Sequence, residues 1–271
     1  MQGKELDAFG DTLAPFEHIR YLDASSNALT DMEAIKSLRS LLAATLEGNQ
    51  ITAVAGISDL AYLQVINLNT NALTSLDGAT SSSVFHFAVN SNDLESLTGV
   101  GGLAALQRLE ATGNKLTSTA GFAPSPTLKE VLLSNNAIET LADLDGLSAC
   151  TMLVLDGNPV ASLGGVAWGE LASLTNLSLA GSAIASFDEV ARLAAAPALT
   201  HLTLTDSGVA GEDEYRMEVV MRLPGVKVLD GEPVTAEERE AAAEEAARRK
   251  EEEEAKAAEE AAEDGEEADD D

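Results

Sequence analysis

The chain has 271 residues, of which 45% are hydrophobic and 23% are charged, and its formal net charge at pH 7 is -30. So acidic a chain repels phosphate backbones, which argues against nucleic-acid binding. Its one cysteine, Cys150, cannot form an intramolecular disulfide, and no run of about 18 apolar residues would cross a membrane. We therefore expect an intracellular protein that binds neither nucleic acid nor membrane.

The first predicted element is an amphipathic helix within residues 1–18. Its apolar residues are three or four positions apart, which is the spacing of one helix face; they are Leu6, Phe9, Leu13 and Phe16. We expect this helix to act as an N-terminal cap over the array that follows.

Residues 19–210 contain a motif that recurs every 21 to 25 residues and has the form L-x-x-L-x-L-x-x-N-x-L. The motif asparagines are Asn27, Asn49, Asn71, Asn92, Asn114, Asn136 and Asn158. Ser182 and Ser207 take the same position in two further copies, so the array has about nine. Seven asparagines at this regular spacing identify leucine-rich repeats.

Each copy predicts one short strand and one turn. Ile66 and Leu68 alternate as in a strand, so both point into the core. Asn71 follows where the chain turns inward, and its amide can pair with backbone groups that the turn buries. Stacking the copies gives an α/β solenoid, a curved array with a parallel concave sheet and a helical or 3-10 convex side. In the fifth copy, Pro124 and Pro126 predict an extended convex segment instead.

Two segments follow the array. Residues 211–235 predict a C-terminal cap made of a helix and a short strand. Residues 236–271 carry 18 acidic and 5 basic side chains, and alanine is their only apolar residue type. This tail predicts either a lone solvated helix or a disordered segment, which serves as an arm for a basic partner or only as a solubilising end. In either case we expect its removal to leave the thermal melt nearly unaltered.

The sequence offers no constellation of catalytic groups, so we expect no enzyme, no cofactor, no metal and no small-molecule ligand. His18 lies in the predicted N-terminal cap. His86 and His201 take outward positions on the fourth and ninth strands, roughly 25 Å apart, which is too far to share a metal. Cys150 takes a leucine position in the core, and Trp168 is expected to pack on the convex side.

The outward positions of the strands define the concave face, and most of them are small and polar. Leu132, Met152 and Val154 are apolar and adjacent, as in surfaces that bind other proteins. We predict a protein-binding site here, unless the tail or a cap covers it; its residues are Arg108, Glu130, Leu132, Met152, Val154 and Asp156.

Two resemblances add to this interpretation. Residues 215–224, which read YRMEVVMRLP, and the later Leu229-Asp230-Gly231 resemble the C-terminal cap of the 22-residue repeat class typified by nuclear phosphatase regulators. The same cap occurs in a spliceosomal subunit, in acidic nuclear phosphoprotein regulators and in axonemal proteins. This resemblance implies the fold and leaves the function open.

The arrangement of the whole chain resembles the leucine-rich-repeat proteins of ciliary radial spokes. The similar segments are residues 16–23, 177–193, 197–199 and 237–240. This resemblance implies a structural subunit of the motile axoneme that is a monomer within a larger complex of spoke proteins. The alternatives are a regulatory subunit of a protein phosphatase and an acidic histone-binding regulator, either of which would place the chain in the cytoplasm or the nucleus.

Overall fold

The computed structural model describes residues 1–10 and 13–267. Within them, eleven short strands form one open sheet in chain order. Neighbouring strands from β1 to β10 are parallel, and β11 is antiparallel to β10. The strands are β1 Tyr21–Asp23, β2 Ala43–Thr45, β3 Val65–Asn67, β4 His86–Ala88, β5 Arg108–Glu110, β6 Glu130–Leu132, β7 Met152–Val154, β8 Asn176–Ser178, β9 His201–Thr203, β10 Val228–Leu229 and β11 Glu232–Pro233. This is the predicted leucine-rich-repeat solenoid, with β1 to β9 contributed by the nine copies.

The core is one column of stacked inward residues. The central residue of each repeat strand is buried and lies beside its equivalent in the next strand; these residues are Leu22, Ala44, Ile66, Phe87, Leu109, Val131, Leu153, Leu177 and Leu202. The residue two positions later is also buried in every copy. Each buried leucine contributes about 1.5–3 kcal/mol relative to an exposed one. Since no copy buries its apolar face alone, stability grows by stacking.

The convex side varies from copy to copy. Four short 3-10 helices lie there, at Glu33–Ser37, Val100–Gly102, Trp168–Glu170 and Arg192–Ala195, and the eighth copy adds helix α1, Phe187–Ala191. The segment with Pro124 and Pro126 has no helix, as predicted from the missing amide protons. Trp168 is 2% exposed and its Nε1 donates to the carbonyl of Leu163 at 2.9 Å, which confirms its place in the convex core.

The motif asparagines join consecutive copies by hydrogen bonds, as predicted. Asn114 is representative: its Nδ2 donates to Ala111 O in its own copy and to Val89 O in the preceding copy, both at 3.0 Å. Its Oδ1 accepts the backbone N–H of Leu94, in the preceding copy, at 3.1 Å. The same three bonds recur at Asn49, Asn71, Asn92, Asn136 and Asn158.

Copies eight and nine close their turns without an asparagine. The backbone N–H of Ser182 donates to Leu179 O at 3.2 Å, and that of Ser207 donates to Leu204 O at 3.0 Å. In the other copies the equivalent carbonyl accepts from the asparagine side chain, so here the backbone replaces it. The hydroxyl groups of Ser182 and Ser207 are buried without a hydrogen-bond partner among the described residues.

The residue before each asparagine or serine of the motif has a left-handed backbone, with φ between 54° and 69° in all nine copies. Four copies have glycine there, for which this conformation carries no steric penalty. The other five have Ser26, Thr70, Ser91, Asn135 and Asp206. Thr70 is the most strained of these, because its branched Cβ crowds the backbone.

The prediction of an amphipathic helix within residues 1–18 is wrong. Residues 1–10 and 13–18 form turns and one 3-10 helix, Ala14–Phe16, and Phe16 is 50% exposed instead of lying on a buried face. Phe9 and Leu13 are buried as expected, although the backbone that carries them is not α-helical.

The N-terminal residues instead form a partial coil in register with the first copy. Leu6 N–H donates to Asn27 Oδ1 at 3.1 Å, as Leu29 N–H does to Asn49 Oδ1. Gly3 has the left-handed φ of 60° that precedes each motif asparagine. Asn27 needs backbone N–H groups from a preceding coil, and an α-helix would have used those groups internally. This requirement explains why the chain is turned and not helical here.

The C-terminal end has the predicted helix and strand. Helix α2, Tyr215–Arg222, buries Val219 and Val220 against the last coil, and β10 extends the parallel sheet beyond β9. Asp230 closes the end: its Oδ1 accepts Leu204 N–H at 2.7 Å and its Oδ2 accepts the Tyr215 hydroxyl at 2.7 Å.

The tail forms one helix, α3, Ala236–Glu267. Thr235 and Glu238 begin it with a capping box, in which Glu238 N–H donates to Thr235 Oγ1 and Thr235 N–H donates to Glu238 Oε2. Residues 268–271 lie outside the described residues.

The first half of α3 packs on α2, so the expectation of a lone or disordered tail is wrong for this half. One side of α3 faces α2, and Ala242 on this side is 2% exposed. Arg239 donates to Pro224 O at 2.7 Å and to Val226 O at 2.6 Å. Arg249 pairs with Glu218 at 2.6 Å. Ion pairs and a small alanine make this contact, which is why a search for an apolar stripe did not find it.

Asn114→Leu is expected to lower the free energy of unfolding by about 1–3 kcal/mol, because it leaves backbone groups of two copies unpaired. Asn136→Leu is expected to act the same way. Ser207→Ala is the control, since the Ser207 hydroxyl makes no hydrogen bond and the turn closes through its backbone. Denaturant unfolding measures all three. Equal midpoints for Asn114→Leu and the unchanged chain would contradict the proposed role of the asparagines.

Removing residues 250–271 is expected to leave the thermal midpoint unchanged, because the described side chains from 250 to 256 are exposed. Removing residues 236–271 also removes Arg239 and Arg249 and uncovers α2. We expect this longer truncation to cost about 2 kcal/mol of stability. Calorimetry of the two truncations separates the docked half of α3 from its projecting half, and identical midpoints would mean that the docked half adds nothing.

Candidate functional site

The concave face is formed by the outward residues of the strands. In copies two to six these residues are joined to each other by hydrogen bonds. Asn90 is central: its Oδ1 accepts Thr112 N–H at 2.8 Å and its Nδ2 donates to Glu110 Oε2 at 3.0 Å. Asn69 makes the equivalent bond to Asn90 N–H at 2.7 Å. The amides of Asn69 and Asn90 are thus held in place by neighbouring copies.

Charged residues end this network at β5 and β6. Arg108 Nε donates to Glu110 Oε1 at 2.7 Å, and its guanidinium also pairs with Glu130. His86 Nε2 lies 2.9 Å from the same Glu110 oxygen. Burial alone would raise the pKa of Glu110, but the hydrogen bonds from Arg108, Asn90 and His86 outweigh it and hold that pKa below its usual range.

The apolar residues lie directly beside this charged group. Leu132 is the register partner of Val154, and Glu130 is the register partner of Met152. Leu132, Met152 and Val154 are each half-buried, so part of each side chain is open to solvent. We call these three residues the apolar patch. Strands β6 and β7 position them through their alternation with the buried Val131 and Leu153.

On its other side the apolar patch meets polar groups. Asp156, two residues after β7, accepts at Oδ1 from Ser178 Oγ and from Ala180 N–H at 2.9 Å. A shallow groove runs from Met152 and Val154 across Asn176 to His201. The structure therefore brings together all six residues of the predicted site. Among the described residues, α3 packs on α2, and no extensive contact joins α3 to β6 or β7.

The residues that hold Arg108 in place are not evident from the repeat alone. His86 is predicted only to point outward, and Glu110 and Asn90 are not among the predicted site residues. The signal that could have found them is positional, since His86 and Arg108 are register partners on neighbouring strands and Glu110 lies two residues after Arg108. Opposite charges at such positions pair across a parallel sheet.

The other residues with reactive side chains are far apart or buried. His86 lies on β4 and His201 on β9, five strands away. Burial raises the pKa of the Cys150 thiol to about 12, so this cysteine stays protonated at neutral pH. In the described part of the chain, no three histidine, cysteine, aspartate or glutamate side chains are placed to hold a metal ion.

None of the described helices combines the length and the apolar character that crossing a membrane requires.

Glu110→Gln is expected to cost about 1 kcal/mol at pH 7, because it removes the charge that Arg108 and His86 bind. The pKa of Glu110 is lowered on folding, so its carboxylate stabilises the fold above the ordinary glutamate pKa. That contribution is lost as the pH falls through the lowered value. The thermal midpoints of Glu110→Gln and of the unchanged chain should therefore differ at pH 7 and converge below about pH 4. Glu47→Gln is the control, since exposed Glu47 bonds only Asn67 and should differ little at either pH; a pH-independent gap for Glu110→Gln would contradict this assignment.

Comparison with known proteins agrees with the repeat and with the fold. A leucine-rich-repeat family model matches residues 153–260, which include the last three copies, the C-terminal cap and most of α3. The chain is 33% identical over 228 residues to leucine-rich repeat-containing protein 23 of Bos taurus and 32% identical to that of Homo sapiens. Each match covers 84% of this chain and 66% of the relative, so the chain spans just under two thirds of their length.

A solved structure gives the same fold. The internalin C2 crystal structure from Listeria monocytogenes matches with a TM-score of 0.55 at 22% identity, over 80% of this chain and 82% of that one. Such low identity carries information on the fold alone. Repeat, register and relatives agree, and the chain belongs to the leucine-rich-repeat proteins.

Proposed function

We propose that this chain is a non-enzymatic scaffold that binds another protein through the apolar patch and the charged residues around it. The observation that carries the proposal is the contrast on the concave face. Several polar side chains of copies two to six are bonded to one another, whereas Leu132, Met152 and Val154 leave apolar surface open. Exposed apolar surface with a polar rim is typical of protein-binding sites.

The rigidity of the site supports this role. Each residue of the apolar patch lies on a strand that the hydrogen bonds of the motif asparagines fix to its neighbour. Arg108 is held by the carboxylates of Glu110 and Glu130. A surface that is already ordered loses little conformational entropy when a partner binds. This suits a permanent structural contact, which needs neither a cofactor nor a switch.

We further propose that the partner assembly is the ciliary or flagellar axoneme, with the chain as a radial-spoke subunit that contributes to assembly and motility. The support is the resemblance of residues 16–23, 177–193 and 237–240 to radial-spoke leucine-rich-repeat proteins. The similarity to leucine-rich repeat-containing protein 23 over 84% of the chain supports a related role without naming one.

The test is to tag the chain in a ciliated cell, remove the ciliary membranes with detergent and wash the axonemes at moderate salt. We expect the chain to stay with the axoneme. Met152→Lys/Val154→Lys is expected to release it into the wash, because two charges replace the apolar surface. Ala43→Lys/Thr45→Lys places the same charges at the same strand positions on β2 and should be retained.

A chain found only in the nucleus or cytosol would overturn the axonemal proposal and favour the phosphatase-regulator alternative. Equal retention of both lysine variants would leave the axoneme as the location but remove the apolar patch from the binding surface.

A further inference from the structure

Two carboxylate oxygens beside the apolar patch are free to accept a hydrogen bond. Glu130 uses Oε2 for Arg108, and Asp156 uses Oδ1 for Ser178 Oγ and Ala180 N–H. Among the described residues, Glu130 Oε1 and Asp156 Oδ2 have no hydrogen-bond or ion-pair partner. Each carboxylate is thus held in place by one oxygen and offers the other to solvent.

These two carboxylates lie at opposite corners of the apolar patch. Glu130 is the first outward residue of β6, and Asp156 lies two residues beyond the end of β7, four residues further along than the register partner Met152. With strands about 4.8 Å apart and about 3.3 Å per residue, their backbones are about 14 Å apart. Leu132, Met152 and Val154 occupy the space between them.

An extended segment matches this spacing. Alternate residues of an extended chain point the same way, and residues i and i+4 are about 13 Å apart. Such a segment would place its first and fifth side chains over the two carboxylates and its third over the apolar patch. Neither carboxylate would need to move, because each is already fixed through its other oxygen.

The charge of the concave face determines which side chains fit. Its outward positions include one arginine, Arg108, and five carboxylates, Asp23, Glu47, Glu110, Glu130 and Asp156. A basic segment is attracted to this face before contact and pairs with it on contact. A second copy of the chain is repelled, since each copy carries a net charge of -30.

We propose that the apolar patch binds an extended partner segment of the form basic–x–aliphatic–x–basic. The two basic side chains pair with Glu130 and Asp156, and the aliphatic side chain packs between Leu132, Met152 and Val154. This proposal rests on the proposed function only in taking the patch as a protein-binding surface, and it does not depend on the axoneme as the location.

The test uses fluorescein-labelled peptides with the full chain, read by fluorescence anisotropy at low ionic strength. The probe has the sequence Gly-Ser-Lys-Ser-Leu-Ser-Lys-Ser-Gly. One matched peptide has glutamate for both lysines, and another has serine for the leucine. We expect the probe to bind measurably, the glutamate peptide not to bind, and the serine peptide to bind at least about threefold more weakly.

Charge-neutral variants of the protein test the residues. Glu130→Gln keeps an acceptor for Arg108, and Asp156→Asn keeps one for Ser178 and Ala180, so the local fold should persist. Each is expected to weaken probe binding about two- to fivefold, and the double variant by roughly the product. Glu47→Gln removes a carboxylate two residues beyond β2, which is four strands from β6, and should leave binding within twofold of the unchanged chain.

The inference is overturned if the lysine and glutamate peptides bind alike, if no peptide binds, or if Glu47→Gln weakens binding as much as the double variant. These outcomes are separate from the axoneme fractionation. Axonemal retention without peptide selectivity would remove only the segment proposed here, and peptide selectivity in a chain absent from cilia would remove only the axonemal role.

Discussion

The structure depends on the side-chain amide of the motif asparagine, which bonds two consecutive copies at once. Nδ2 binds carbonyls of its own and the preceding copy, while Oδ1 accepts a backbone N–H from the preceding copy. A turn that repeats every 21 to 25 residues would otherwise bury unpaired backbone groups in every copy. The amide does this in the copies that have the asparagine, and in copies eight and nine the backbone N–H of Ser182 or Ser207 closes the turn instead. The strands therefore keep one register from β1 to β9, and the outward residues form a continuous face.

At the two ends of the array, different residues pair the backbone groups that a neighbouring copy would otherwise pair. At the front, Gly3 to Leu6 supply the groups that Asn27 needs, so the chain begins as a partial coil. At the back, Asp230 accepts the N–H of Leu204 and the hydroxyl of Tyr215, and α2 with the first half of α3 covers the last coil. Arg216 strengthens this cover by bonding Glu238, which lowers the pKa of Glu238 to about 2. The acidic tail therefore has two parts, one that belongs to the fold and one that projects from it.

Much of the fold and the grouping of the site residues could be predicted from the sequence. The spacing of the asparagines and the alternation of apolar residues predicted the strands, the core and the adjacency of Leu132, Met152 and Val154, because all three depend on a local period. The errors arose where long-range pairing decides the conformation. The first segment has helical spacing at Leu6, Phe9, Leu13 and Phe16. It forms a partial coil instead, because Asn27 accepts hydrogen bonds from its backbone N–H groups. Arg239 and Arg249 dock a helix that has no apolar stripe. The bonds of Glu110 to His86 and Asn90 of the preceding copy have no counterpart in the local sequence.

The proposed function depends on the outward side chains of the concave face, which the motif asparagines position. A solenoid fixed in one register presents a continuous concave face, and the binding site that we propose on it is the apolar patch between Glu130 and Asp156. Photo-cross-linking tests this claim most directly, with benzoylphenylalanine placed at residue 152 of the full chain in ciliated cells and, separately, at the equivalent residue 43 of β2. The account predicts one defined cross-link from residue 152, to a segment with basic residues around an aliphatic one, and none from residue 43. Equal cross-linking from both positions, or cross-linking from residue 43 alone, would contradict it.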